Sequence, residues 1–178
     1  MGHFLIAIVV FAFTGPAFAK LPKPDWVLGS SKLTYHVSYP LKSVEGVSNG
    51  AKGKGECKSG VCEFLIAVPV KSFVSGDGNR DNHMLEVTKG AIHPMVVVRV
   101  QVNEADIGES TVAKVEVNFA GKAHTYDQVK VRTNLTGSQA SVSGVLPLKL
   151  TDFAIERPSL LTIKVDDATP VDFEMSWN

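Results

Sequence analysis

The sequence predicts an exported, all-β protein that forms a single closed antiparallel barrel. Three observations predict it: an N-terminal segment built like a secretory signal peptide, alternating apolar and polar residues in nearly every later segment, and short turn-forming links between those segments. Alternation with period two places apolar side chains on one face of a strand, which is typical of antiparallel sheets with one buried face. About eight such segments indicate an up-and-down or closed barrel.

The N-terminal segment carries the parts of a signal peptide in order. Residues 4–13 are an unbroken apolar run, residues 14–16 break it, and Ala17-Phe18-Ala19 is a small-x-small tripeptide. The run is shorter than the roughly 20 apolar residues that span a bilayer. We therefore predict a signal peptide over residues 1–19 and one mature domain over residues 20–178. The alternative is a buried N-terminal strand or helix.

Charge and hydropathy argue against nucleic acid as a partner and against insertion into a membrane. Lys plus Arg and Asp plus Glu both number 18, and no basic cluster suggests a nucleic-acid-binding face. Lys52, Lys54 and Lys58 form the densest basic stretch, and the glycines among them favour a solvated loop or hairpin. No second long apolar run follows the signal segment, so we expect no stable membrane insertion.

The two cysteines, Cys57 and Cys62, flank a turn signal at Ser59-Gly60. Outside the cytoplasm this arrangement favours a disulfide across a hairpin, which stabilises by about 2 kcal/mol for so short a loop. Free thiols are the second interpretation. A redox-active pair or half of a metal site is disfavoured, because the spacing is not Cys-x-x-Cys and there is no second cysteine pair.

The alternating segments predict eight strands and leave one segment for a helix. The predicted strands cover residues 33–39, 62–70, 95–102, 111–119, 126–135, 138–148, 160–165 and 171–177. Residues 79–89 do not alternate and end at Gly90, which is typical of a helix. Asp77 or Asn79 is the expected N-cap, and we place this short helix across one mouth of the barrel.

Four motifs occur in the order found in the YceI-like family, which the mature chain resembles along essentially its whole length. They are Arg80-Asp81-Asn82-His83-Met84, His93-Pro94 before a strand, residues 117–122, and residues 148–155. The chain departs from the family pattern at Ala120, where the family usually has His, and at Ala154, where it has Gly. The stretch from Arg80 to Pro94 is about two residues shorter, and the paired cysteines are not a general family feature.

The resemblance implies a lipocalin-like antiparallel barrel in the bacterial periplasm, whose lumen holds an isoprenoid or quinone-type lipid without catalysis. We expect no other cofactor, and a homodimer is an open possibility. The alternative is a structural or protein-interaction barrel with a filled core. Many inward-facing candidates are small, which favours a cavity. The predicted ligand-binding residues are Tyr35, Val37, Phe64, Ile66, Val68, Phe73, His83, Met84, Val115, Val117, Phe119, Val131, Phe153 and Ile163.

Arg80 and His83 are the candidate contacts for a lipid head group. The favoured interpretation of Arg80 is structural: with Asp81 it ties the helix to the barrel rim. We predict no catalytic residue, since there is no nucleophile elbow and no phosphate-binding loop. The scattered histidines do not have metal-ligand spacing, so we predict no metal site.

Overall fold

The computed structural model describes residues 25–39, 42–160 and 163–178, with the backbone alone for Leu160 and Ile163. The predicted signal peptide lies outside the described residues. The described part contains one α-helix, α1 (Gly78–Val87). Its strands are β1 (Asp25–Tyr39), β2 (Lys42–Ser48), β3 (Lys52–Lys58), β4 (Val61–Pro69), β5 (Met95–Asn103), β6 (Ser110–Phe119), β7 (Lys122–Thr136), β8 (Gln139–Leu146), β9 (Ser159–Leu160), β10 (Ile163–Lys164) and β11 (Val171–Trp177).

Eight strands close into one antiparallel barrel. Their order is β1, β3, β4, β5, β6, β7, β8, β11, and β11 returns to pair with β1. β2 pairs with the same edge of β1 as β3 does, so the two are one strand interrupted at residues 49–51. The predicted all-β, lipocalin-like barrel with one short helix is confirmed. No helix in the described part is long and apolar enough to cross a membrane.

One barrel strand differs from the prediction. The predicted strand at residues 160–165 is part of the small separate hairpin β9–β10, and the barrel uses β3 instead. β3 escapes detection because glycines occupy its inward positions. A Cβ atom on Gly53 would lie 2.8 Å from the Trp177 ring, and one on Gly55 would overlap the Phe64 ring. The glycines leave room for these aromatic rings, and the Lys-Gly-Lys-Gly stretch is a strand of a hairpin.

One end of the barrel, which we call the closed end, is filled by large side chains. Trp26 and Trp177 are 2% and 3% exposed, and Trp177 packs against Phe64 with ring centroids 5.1 Å apart. Cys57 and Cys62 face each other in the β3–β4 hairpin and form a disulfide. The connecting Ser59 and Gly60 have φ angles of 52° and 83°, as a type I′ turn requires.

The opposite end, which we call the mouth, is covered by α1 and by a long segment between β8 and β11. This cover segment (residues 147–160 and 163–170) contributes its own buried side chains to the interior. They pack on the inward faces of β6 and β7. The buried residues of the cover segment are Leu148, Leu150, Phe153, Ile155, Val165 and Thr169.

Helix α1 begins where the sequence predicts, with Asp77 as the N-cap. The Asp77 carboxylate accepts hydrogen bonds from the backbone N–H groups of Asn79 (3.0 Å) and Arg80 (3.2 Å). The helix ends differently from expectation: Lys89, with φ of 54°, adopts the left-handed conformation that we expected of Gly90. No residue of α1 is buried, so the helix lies on the mouth without being part of the core.

Candidate ligand-binding cavity

The inward faces of the barrel strands enclose a cavity of about 320 Å³. This volume falls in the range of small-molecule binding sites, roughly 300–1,000 Å³. The wall consists mostly of valine and other aliphatic side chains, with aromatic rings at both ends. Small aliphatic residues create the space because an eight-stranded barrel lined by larger ones would fill its own interior.

Most of the residues that the sequence suggests for ligand binding lie on the wall of this cavity. Phe153 does not: it is 1% exposed and packs edge-on behind Phe119, with ring centroids 5.6 Å apart. The side chain of Ile163 lies outside the described part of the chain. The predicted residues on the wall are Tyr35, Val37, Phe64, Ile66, Val68, Phe73, His83, Met84, Val115, Val117, Phe119 and Val131. That they contact a ligand remains a prediction.

Several further wall residues were not in the predicted set. The inward face of β5 and that of β11 line the cavity, and their alternation was visible in the sequence. The cover segment also contributes: Leu148 and Val165 fall at the ends of predicted strands, whereas no periodic signal marks the irregular backbone between them that supplies Leu150 and Ile155. The additional wall residues include Val96, Val98, Val100, Val102, Phe173, Met175, Leu148, Leu150 and Ile155.

A compact polar cluster lies at the mouth beside the start of α1. Asp81 accepts hydrogen bonds from Ser75, at 3.0 Å from its backbone N–H and 2.5 Å from its hydroxyl. The Arg80 Nε atom donates to the Ser75 hydroxyl at 2.9 Å, and a terminal guanidinium nitrogen lies 3.8 Å from Asp77. Arg80 and Asp81 therefore tie the helix to the preceding loop, as the structural interpretation expects, although at Ser75 and not at a barrel strand.

Arg80 retains capacity for another partner. Its side chain lines the cavity and is 30% exposed, and a guanidinium carries five N–H donors in a planar fork. Among the described residues its side chain makes one hydrogen bond, to Ser75, and the long contact with Asp77. The remaining donors at the cavity rim can bind an acceptor group on a ligand.

Tyr35 is the second donor at this rim. Burial raises the pKa of its hydroxyl, the charge of Asp81 adds to this, and the charge of Arg80 and a hydrogen bond with Ser75 oppose it. The phenol is therefore protonated at neutral pH. Its ring lies over Gly46, where any side chain would overlap it, and packs against Phe73 at 5.7 Å between centroids. Its position is thus fixed by packing.

His83 lies one turn beyond Arg80 on α1. It lines the cavity, yet its side chain is 59% exposed, and its Nδ1 atom lies 3.4 Å from a carboxylate oxygen of Glu86. A side chain so exposed can meet only the outermost part of a ligand. Among the described residues, no three His, Cys, Asp or Glu side chains gather as a metal site would require.

The cover segment is fixed to the barrel by a separate polar contact. The Tyr126 hydroxyl on β7 donates to Asp152 at 2.9 Å, and His124 Nε2 lies 3.7 Å from the same carboxylate oxygen. Burial, followed by the hydrogen bond to Asp152, raises the pKa of Tyr126, so the donor stays protonated. This half-buried contact and the buried apolar side chains of the cover segment hold this side of the mouth, which leaves the side beneath α1 as the more easily opened one.

The geometry defines the class of protein: a lipocalin-like barrel, closed at one end, with an apolar cavity of ligand size and polar donors at the other end. No family profile and no curated protein matches the sequence. Solved structures do match, however, and three of them illustrate the range.

BcnA of Burkholderia cenocepacia superposes with a TM-score of 0.70 at 18% identity, over 82% of this chain and 95% of that one. A polyisoprenoid binding domain from Saccharophagus degradans, implicated in plant cell wall breakdown, gives 0.69 at 18% identity, over 88% and 99%. The Campylobacter jejuni YCEI protein gives 0.51 at 12% identity, over 99% and 97%. At these identities the comparisons show the fold, and for the fold the resemblance to YceI-like proteins is confirmed.

Proposed function

We propose that this protein is a non-enzymatic carrier that holds a long apolar lipid, of the isoprenoid or quinone type, inside its barrel. The observation that carries the proposal is the cavity itself: an apolar space of about 320 Å³ that runs from buried tryptophans to polar donors at the mouth. Such a space suits a molecule with a long apolar tail and one small polar end. The alternative, a filled interaction module, is disfavoured by the same cavity.

The energetics require a long tail. Burying one methylene gains about 0.8 kcal/mol, so each five-carbon unit gains about 4 kcal/mol. Association costs roughly 4–15 kcal/mol in lost translational and rotational freedom. A single unit therefore offsets only the smallest of these costs, and several buried units are needed for tight binding.

The mouth favours an uncharged head group. Arg80 and Tyr35 offer donors, but the carboxylates of Asp77 and Asp81 lie beside Arg80 and already balance its charge. A multiply charged anionic head group would be repelled by these carboxylates, whereas a carbonyl oxygen would accept from either donor. Arg80 is the main contact in this arrangement and His83 an outer one.

We also propose that the carrier works in the periplasm as the domain over residues 20–178, after removal of residues 1–19. The support is the signal-like pattern of the N-terminal sequence. Mass measurement of the protein isolated from its native host would give the mature N-terminus. A chain that begins at Met1 would contradict this part of the proposal.

The function is tested by purifying the protein from its native host without detergent, extracting it with organic solvent, and analysing the extract by mass spectrometry. We expect a long-chain isoprenoid or quinone lipid in stoichiometric amount. Val98→Phe, which fills the cavity from β5, should remove most of this lipid. Val112→Phe is the matched control, because Val112 is 52% exposed on the outer surface. Repeated absence of lipid, or equal lipid in both variants, would contradict the proposal.

A further inference from the structure

Three apolar side chains are exposed on the outer side of the barrel at β4 and β5, one at the middle of a strand and two near the mouth. Leu65 on β4, Met95 at the start of β5, and Ile92 between α1 and β5 are 48%, 37% and 73% exposed. Met95 pairs with Pro69, the last residue of β4, so the three mark one side of the barrel that leads up to the mouth. Ala67 and Val97, which pair with each other on the same outer face, connect Leu65 to Met95, and a continuous apolar surface of this kind commonly marks an interaction site.

Basic side chains border this apolar group. Lys54 is the direct cross-strand neighbour of Leu65, and Lys52 is the neighbour of Ala67 on the same outer face. Lys71 follows Val70, whose backbone N–H donates to the carbonyl of Pro94 beside Met95. No carboxylate of the described residues lies within ion-pair distance of these three lysines.

The net charge at the two ends of the barrel differs. The closed end carries a group of acidic residues that are mostly exposed, balanced within the described residues by few cations. The mouth also carries acidic residues, such as Glu45, Asp77, Asp81 and Glu86, but Lys42, Arg80, Lys89 and Lys122 lie among them. An anionic surface would therefore repel the closed end more than the mouth and attract the side with the unpaired lysines. The acidic residues of the closed end are Asp25, Glu56, Glu63, Glu104, Asp106 and Glu109.

We infer that this surface, the docking face (Lys52, Lys54, Leu65, Lys71, Ile92 and Met95), binds reversibly to an anionic lipid bilayer and brings the mouth to the membrane. The inference rests on the proposed function, since a carrier of membrane lipid must exchange its ligand with a bilayer. Lysines on flexible stems suit lipid head groups, which have no fixed geometry, and the exposed aliphatic side chains suit the acyl boundary. The face is continuous with the mouth, so docking there shortens the path of the lipid.

The test is cosedimentation of the purified mature protein with vesicles of phosphatidylcholine alone or mixed with phosphatidylglycerol. We expect binding only to the mixed vesicles, weakening as salt is raised, because counterions screen surface charges. Lys54→Gln/Leu65→Ser should weaken binding at least about fivefold, which corresponds to the loss of one lysine near an anionic surface. Lys71→Gln/Ile92→Ser should have a similar effect.

The chain offers a closely matched control in Lys130→Gln/Val112→Ser. Lys130 and Val112 are also direct cross-strand neighbours, and Val112 is 52% exposed, but they lie on β6 and β7, away from the docking face. The control should bind vesicles like the wild type. A loss in the control as large as that in the docking-face variants would overturn the inference. So would a wild-type dimer that Lys54→Gln/Leu65→Ser dissociates, because a second copy would then occupy the face.

The lipid extracted from the same preparation separates this inference from the proposed function. Protein that carries lipid but never binds anionic vesicles overturns the docking face and leaves the carrier function intact. Protein that binds the vesicles through the docking face but never yields lipid supports the docking face and contradicts the carrier.

Discussion

The closed end of the barrel and the α1 side of its mouth are built in opposite ways. At the closed end, Trp26, Cys62 and Trp177 are almost fully buried and a disulfide joins neighbouring strands. At the mouth, α1 has no buried residue and is fixed by hydrogen bonds among exposed or half-buried polar groups. Large, well-packed apolar contacts are costly to open, whereas polar contacts near water contribute little net free energy.

This difference indicates which end exchanges ligand. A lumen whose two ends were equally packed would trap its contents, and one with two loose ends would admit water to an apolar wall. With one end fixed, local opening at the mouth costs much less than global unfolding. Substitutions at the two ends test this asymmetry.

Truncation of Trp177 should cause the largest loss of stability. Trp177→Ala removes a ring that is 3% exposed and packs on Phe64, so we expect the free energy of unfolding to fall by about 3–5 kcal/mol. Phe73→Ala, at the mouth, should cost less because Phe73 is only half-buried. Urea unfolding of delipidated protein measures both, and equal losses would mean that the two ends are packed alike.

Loss of the disulfide should have the next largest effect. Cys57→Ala/Cys62→Ala should lower the free energy of unfolding by about 2 kcal/mol, because the open hairpin has more freedom in the unfolded chain. Bound lipid should stay at its wild-type level, since the mouth is unchanged. Reduced wild-type protein is the control for the substitutions themselves. A large loss of lipid would mean that the lipid leaves through the closed end, which would contradict exchange at the mouth.

Ala154→Gly should stabilise the cover segment. Ala154 has φ of 53°, which costs a residue with Cβ about 1–2 kcal/mol, and the greater freedom of glycine in the unfolded chain offsets part of the gain. We expect a net increase of about 0.5 kcal/mol in the free energy of unfolding. Ala105→Gly, in an exposed turn without positive φ, should instead destabilise. If both substitutions lower the free energy of unfolding, Ala154 is not strained and the prediction is wrong.

The smallest effect should be a pH dependence from the N-cap of α1. Hydrogen bonds from the backbone of Arg80 and Asn79 lower the pKa of Asp77 from 3.8, so the ionised cap stabilises the helix above about pH 4. This contribution is lost as the pH falls through the lowered pKa. Asp77→Asn keeps a cap that does not titrate. The melting temperature should therefore fall less steeply between pH 6 and pH 2 for the variant than for the wild type. Parallel curves of melting temperature against pH would contradict the role of the cap.

The sequence predicts the barrel well because each inward face is apolar and each outer face polar. The prediction fails where an inward face is not apolar, or where an alternating segment does not join the barrel. β3 presents glycines inward so that Phe64 and Trp177 fit, and residues 160–165 alternate although they form only a short hairpin. No local pattern records a contact between distant aromatic rings and glycines.

The site was predictable in part for the same reason. Residues such as Ile66, Val117 and Val131 reach the cavity because strand periodicity fixes the direction of their side chains. Most of the cover segment, including Leu150 and Ile155, has no such periodicity, and its contribution depends on tertiary packing. The polar cluster at the mouth is predicted only in part. The sequence points to Arg80 and Asp81, but not to Ser75, which contacts both.

The most direct test of a ligand-holding lumen is an experimental structure of the protein purified from its native host without detergent. We predict continuous elongated density inside the barrel, ending in a head group within hydrogen-bond distance of Arg80 or Tyr35. A lumen that holds only water, or one in which the wall side chains have collapsed together, would contradict the account.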